Sequence, residues 1–285
     1  MNSSQIYPCC RQTPWIRLRI SPKHTTLTAG RRGKDLEDLR GEATVLLEEA
    51  KSWFAVNRLK VNEDKTQTIL CTLKPVVEDE AVKLLGFWLD PRLNWKHHID
   101  KVCVRLSRVT YLLRRLRSTL SQPSLLMVYH ALFHSHVSYG LVLWGHSTAA
   151  HDILLLQKKA MRIVSSAGYK QHCRPIFIRH RVLTVFSQYI LDILVLLKDK
   201  VGLFGRREEV HTHNTRRAPD LDMPRCRLAQ TMRSYPRSAI RVFNTLPKRV
   251  RDMDLPDFKR EIREGLLNRP LYALHELESE PLFLT

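Results

Sequence analysis

Between Leu36 and Phe54 the apolar residues recur at three- and four-residue intervals, and this run constrains the chain more than any other feature. Leu36, Leu39, Ala43, Leu46, Leu47, Ala50, Trp53 and Phe54 mark one face of a long helix. The pattern ends in the polar turn Asn57 to Thr66, which delivers Lys65 at the mouth of a β-like run, Thr66 to Leu70. A second apolar run, Val82-Lys83-Leu84-Leu85-Gly86-Phe87-Trp88-Leu89-Asp90, closes on the turn Asp90-Pro91-Arg92-Leu93-Asn94-Trp95. In these turns Asp64 and Asp90 serve local hydrogen bonding, and Asp35 and Asp38 complement the start of a helix.

A chain of 285 residues with 44% hydrophobic and 26% charged residues can bury a substantial core and is globular. Its charge is unusual. A formal net charge of +19, from 47 Lys and Arg against 28 Asp and Glu, makes nucleic acid the leading partner and an anionic membrane surface the second. No stretch reads as a membrane span: Leu125 to Gly145 carries His130, His134 and His136, and Val182 to Leu197 is short and carries Asp192. The six cysteines are scattered, without a Cys-x-x-Cys pair or a secretory leader, which reads as reduced thiols in an intracellular protein, nuclear or cytoplasmic. Residues 1–34 are basic and free of acids, a basic arm. A mitochondrial transit peptide is the alternative, and Pro8, Pro14 and Pro22 count against it.

Downstream the spacing predicts mostly helix. From about Lys96 to Leu120, Ile99, Val102, Leu106, Val109, Leu113 and Leu116 form a packing seam. Lys101, Arg105, Arg108 and Arg115 fall within a stripe of about 80° beside it, at about 100° per residue. Such a stripe either contacts phosphates or is simply solvated; only Asp100 opposes it. Ser121-Gln122-Pro123 opens another helix, continuing to Tyr139-Gly140. Its His130 and His134 share a face but lack a third ligand, so they read as packed histidines rather than a metal site. Leu141 to Gly145 is an apolar link, Asp152 to Ala167 a helix, and Arg179 to Lys198 a further buried helix. Gly202 to Pro236 loses the apolar period and reads as a basic linker, with a small docked helix in the tail after it.

The order helix, lysine turn, strand, then Leu84-Leu85-Gly86-Phe87-x-Leu89-Asp90 resembles the end of the palm of non-LTR retrotransposon reverse transcriptases, the jockey-like group in particular. Tyr139-Gly140, Trp144-Gly145 and Leu156-Gln157-Lys158-Lys159-Ala160-x-Arg162 continue the resemblance, which runs from about Thr25 to Leu197. It implies an α+β, predominantly helical fold: a residual palm helix plus β-hairpin, a helical thumb and a C-terminal helical region. The domains then read as 1–34 basic arm with a remnant palm strand, 35–95 partial palm, 96–201 thumb and post-thumb, 202–236 basic linker and 237–285 tail.

The family's activity is RNA-directed DNA synthesis. Its nucleotidyl transfer needs carboxylates holding two Mg²⁺ ions about 4 Å apart. Where the family has an aromatic-Ala-Asp-Asp turn before a Thr-rich strand, this chain has Ser21-Pro22-Lys23-His24 before Thr25 to Gly30. The expectation is therefore a truncated enzyme with no catalytic residues, no metal ligands and no cofactor of its own, still binding RNA, DNA or an RNA–DNA hybrid through phosphates. The resemblance places Lys65 near the incoming nucleotide's phosphates and Gly86 where backbone approaches nucleic acid. The plainer readings are an exposed turn lysine and a bulge glycine in a buried strand. Lys101, Arg105, Arg108 and Arg115 complete the expected binding set. Two other readings stay open, a domesticated RNA or DNA binder and a helical protein-interaction module whose charge is incidental.

Overall fold

The computed structural model describes residues 15–20, 25–30, 36–63, 66–72, 81–206, 220–279 and 282–283. It divides into two compact units, Met1–Thr68 and Ile69–Thr285.

In the first unit β1 (Trp15–Ile20) pairs antiparallel with β2 (Thr25–Gly30), in a register running from Trp15↔Gly30 to Ile20↔Thr25. The β2 strand was expected. The β1 strand falls where a basic arm was expected, and its signal was present in the period-two alternation of Ile16, Leu18 and Ile20 with Arg17 and Arg19. Ser21 to His24, where the family resemblance sets a carboxylate turn, lie outside the described residues. Helix α1 (Leu36–Val56) follows and ends as helices commonly do: Arg58 takes a left-handed φ of 55° and Leu59 N donates to Phe54 O at 2.8 Å. Trp53 is 38% exposed, contrary to the expectation that it faces inward with Phe54, because consecutive helical residues point about 100° apart. Thr66 closes the following turn through its N–H to Glu63 O (3.0 Å) and its hydroxyl to Asn62 O (2.9 Å); residues 66–68 then continue as coil rather than strand.

The second unit is helical around one hairpin. Strands β3 (Val82–Leu84) and β4 (Phe87–Leu89) pair antiparallel across a two-residue turn, and α2 (Lys96–Leu116) follows. The helix expected from Ser121 to Tyr139 is interrupted: α3 (Gln122–Val128) passes into a π-helical turn (Tyr129–His134) and then α4 (Ser135–Ser138). The apolar link is itself helical, α5 (Leu141–Trp144), and α6 (Ala150–Val164) packs against α2. The buried helix expected from Arg179 splits into α7 (Arg174–His180) and α8 (Val185–Asp199), because Arg181 turns left-handed at φ 52°. In the stretch read as a linker, Arg206 bridges to Leu221 and α9 (Ala229–Arg233) forms; residues 207–219 lie outside the described set. The tail is larger than one small helix, with α10 (Arg237–Thr245), α11 (Lys248–Arg251), α12 (Leu255–Asn268) and α13 (Glu276–Ser279).

Helix α8 is the centre of the core. It buries Val185, Phe186, Tyr189, Ile190, Leu191, Ile193, Leu194 and Leu197, and α12 covers it with Phe258, Ile262, Leu266 and Leu267. Thr184 caps α8, accepting from Ser187 N at 3.1 Å and donating to Leu271 O at 2.6 Å, so the tail is bonded to the helix start. One buried amide joins three elements. Gln157 Nε2 donates to Tyr129 Oη (2.8 Å) and Leu183 O (2.9 Å), and Gln157 Oε1 accepts from Val185 N (2.9 Å).

Replacing Gln157 by Ala leaves three buried polar partners unsatisfied, and the expected cost is about 4 kcal/mol in urea-unfolding free energy. Burial raises the Asp192 carboxyl to about 6, against a hydrogen bond from Gln188 and the charge of Lys259 that lower it. A carboxyl raised by folding destabilises the native state progressively as pH rises from the unfolded value to the folded one, fully above the latter and not at all below the former. Asp192→Asn therefore raises the melting temperature at pH 7.5, by about 2 kcal/mol of stability, and the gain vanishes near pH 3.5.

Candidate nucleic-acid interface

The direction of α2 is set by the turn that precedes it. Both carboxylate oxygens of Asp90 are used: Oδ1 accepts from Arg92 N (3.1 Å) and Asn94 N (3.0 Å), and Oδ2 from Trp95 N (3.0 Å). Asn94 Oδ1 accepts from Lys96 N at 2.8 Å, and Ser147 Oγ donates to Asn94 O at 2.9 Å, which anchors the turn to the helical body. Asp90 thus plays the local role read from the sequence.

From that start α2 buries His98, Ile99, Val102, Leu106, Thr110 and Leu113, with Val109 and Leu116 half-buried, so the expected seam forms. Lys101, Arg105, Arg108 and Arg115 are all exposed. Asp100 bonds back to Lys96 at 3.2 Å, and among the described residues Arg105, Arg108 and Arg115 have no acidic partner. Val104, Tyr111 and Leu112 are exposed on the same helix. The outward face of α2 is therefore a cationic row interleaved with apolar side chains, an arrangement suited to a polyanionic backbone.

The hairpin sits beside the start of this row. Lys101 Nζ lies 5.6 Å from the centre of the Trp88 ring and Lys83 Nζ lies 5.9 Å from it. Lys83 was missed by sequence reasoning, although its place between the apolar Val82 and Leu84 marks an outward strand position. Burial lowers the His98 pKa, with the Arg105 charge adding to the effect, and the ring accepts from Trp88 N at Nδ1 (3.5 Å). Gly86 has φ 89° and Leu85 φ 50°, the left-handed pair of a tight hairpin turn, so no bulge is present. Lys65 lies outside the described residues.

The resembled motifs meet in space. Tyr139 Oη donates to Leu85 O at 2.7 Å, and the Phe87 ring stacks on Tyr139 at 4.9 Å and 6°. Gly140, at φ 60°, lies so close to Phe87 that any Cβ would overlap the ring. Trp144 Nε1 donates to Tyr139 O at 3.2 Å, and a Cβ on Gly145 would collide with the Tyr189 ring. Residues separated by more than fifty positions are thus one packed joint between hairpin and helices.

Among the described residues no divalent-metal site emerges from the donors present. Asp90 spends both oxygens on backbone N–H groups, and among the described residues no three His, Cys, Asp or Glu side chains are placed to hold an ion. The His130 and His134 rings stand 5.6 Å apart; burial lowers both pKa values, and the nearby Arg263 charge lowers them further. That cation also opposes a second one. Among the described residues no helix is long and apolar enough to cross a membrane.

The chain is 28% identical over 134 residues to a probable RNA-directed DNA polymerase from transposon X-element of Drosophila melanogaster, covering 41% of this chain and 15% of that protein. The relationship to a transposon RNA-directed DNA polymerase is distant, and the chain spans a minor part of its relative's length. No family model matches the chain, and no solved structure matches it.

Gly140→Ala is expected to detach the hairpin while leaving the helical core folded. The measurement is acrylamide quenching of tryptophan fluorescence, which rises as Trp88 becomes accessible, with helical circular dichroism unchanged.

Proposed function

We propose that the chain corresponds to the end of the palm, the thumb and the post-thumb region of a non-LTR retrotransposon reverse transcriptase, and that it holds nucleic acid without copying it. The observation that carries the reading is the exposed, acid-free row Lys101, Arg105, Arg108 and Arg115 on a helix whose adjoining face packs into the core. The joint between Leu85–Phe87 and Tyr139-Gly140 supports it, because residues that carry the family resemblance hold the hairpin, whose Trp88 ring lies beside Lys101 of α2. The distant similarity to a transposon RNA-directed DNA polymerase agrees in kind.

Polymerisation is not expected of this chain alone. Lys23 and His24 stand where the resembled family has two carboxylates, and neither side chain ligates Mg²⁺ in that role. The row on α2 needs no metal to act. Each guanidinium or ammonium that meets a phosphate displaces condensed counterions, so affinity for an RNA–DNA hybrid falls steeply with salt.

A filter-binding salt titration with an RNA–DNA hybrid, run beside primer extension in Mg²⁺ or Mn²⁺, tests both halves. Retention that weakens with salt and no extension is the expected result. The double reversal Arg105→Glu and Arg108→Glu lowers hybrid affinity at least tenfold and flattens the salt dependence by about 2 log units per log unit. Salt-independent or absent retention favours a helical protein-interaction module, and extension above background removes the non-catalytic assignment.

A further inference from the structure

A second group of basic residues is carried by α6, the loop joining α6 to α7, and α7. Between Asp152 and Asp192 the sequence holds seven Lys and Arg residues (Lys158, Lys159, Arg162, Lys170, Arg174, Arg179 and Arg181) and no acid. The tail supplies two carboxylates, Glu264 to Arg181 at 2.5 Å and Glu276 to Arg174 at 2.8 Å. Lys158, Arg162 and Lys170 form no ion pair with a described residue.

Lys158, Arg162 and Arg174 are held in place by their neighbours. Lys158 Nζ sits 3.6 Å from the centre of the Tyr272 ring, and Arg174 Cζ lies 4.6 Å from it. Arg162 Nε donates to Gln171 O at 3.0 Å. Burial lowers the Lys158 pKa, and the charges of Arg162 and Arg174 add to that effect while Cys173 and Glu276 oppose it. Like charges at this spacing repel one another, and a bound anion relieves the repulsion. The loop itself is braced: Ala167 N donates to Arg162 O at 2.9 Å and Gln171 N to Gly168 O at 3.1 Å. On it Tyr169 is 83% exposed, next in sequence to Lys170. The exposed ring offers a free π-face beside cationic side chains, the pairing on which a base stacks.

We propose that this loop is a contact for single-stranded nucleic acid, in which Tyr169 stacks on a base while Lys158, Arg162 and Lys170 take the adjoining phosphates. The assignment rests on the nucleic-acid reading of the chain and adds a strand type and a location to it. Stacking suits a single strand, whose base faces are free, and not a duplex, whose faces are already occupied.

The test is fluorescence anisotropy of the full chain with a short labelled oligo-dT and, separately, with a labelled RNA–DNA hybrid. Tyr169→Ala is expected to weaken oligo-dT binding about tenfold, the loss of one stacked base, and to leave hybrid affinity within about twofold. Tyr169→Trp restores the oligo-dT affinity, and its added fluorescence is quenched on binding. Lys170→Glu weakens oligo-dT alone, whereas Arg105→Glu with Arg108→Glu weakens the hybrid. If the unaltered chain binds the hybrid but not oligo-dT, or if Tyr169→Ala leaves oligo-dT affinity unchanged, this assignment fails and the α2 reading stands. If the unaltered chain binds neither probe, both fail.

Discussion

One side-chain amide holds the second unit to a single arrangement. Gln157 is buried among apolar helices and uses its amide nitrogen and its oxygen together, reaching the π-helical turn at Tyr129 and both Leu183 and Val185 at the start of α8. A polar group in that position is costly unless every partner is in place, so the helices that meet there have no neighbouring arrangement of comparable energy. The other contacts follow from this fixed frame: α2 on α6, α12 on α8, and the hairpin on Tyr139-Gly140.

The frame also shows what the resembling motifs do in this chain. Gly86, Tyr139, Gly140, Trp144, Gly145 and Gln157 all belong to the resembling motifs, and each has a packing or hydrogen-bonding reason to be the residue it is.

Much of this is legible in the sequence. The seam of α2 and its cationic stripe followed from helical periodicity, and the role of Asp90 from its place in a turn. What could not be read depends on contacts between distant residues. Nothing local announces that Phe87 and Gly140 touch, that Lys83 and Lys101 share the Trp88 ring, or that Gln157 satisfies three partners at once. The break at Arg181 was hidden for another reason: the apolar spacing continues across it, and an arginine carries no turn signal. The strand Trp15–Ile20 was legible in its alternation, although its two arginines, Arg17 and Arg19, read equally as part of a basic arm.

The acid-free row on α2 has a thermodynamic consequence that reaches beyond recognition. Cations gathered by folding onto one face raise the free energy of the folded chain relative to an unfolded one in which they are dispersed. Any polyanion that engages the folded face alone removes that term and adds its own binding free energy, so folding and ligand occupancy become two readings of one equilibrium. Ionic strength then acts in opposite directions on the two forms, easing the strain of the empty protein while loosening the complex.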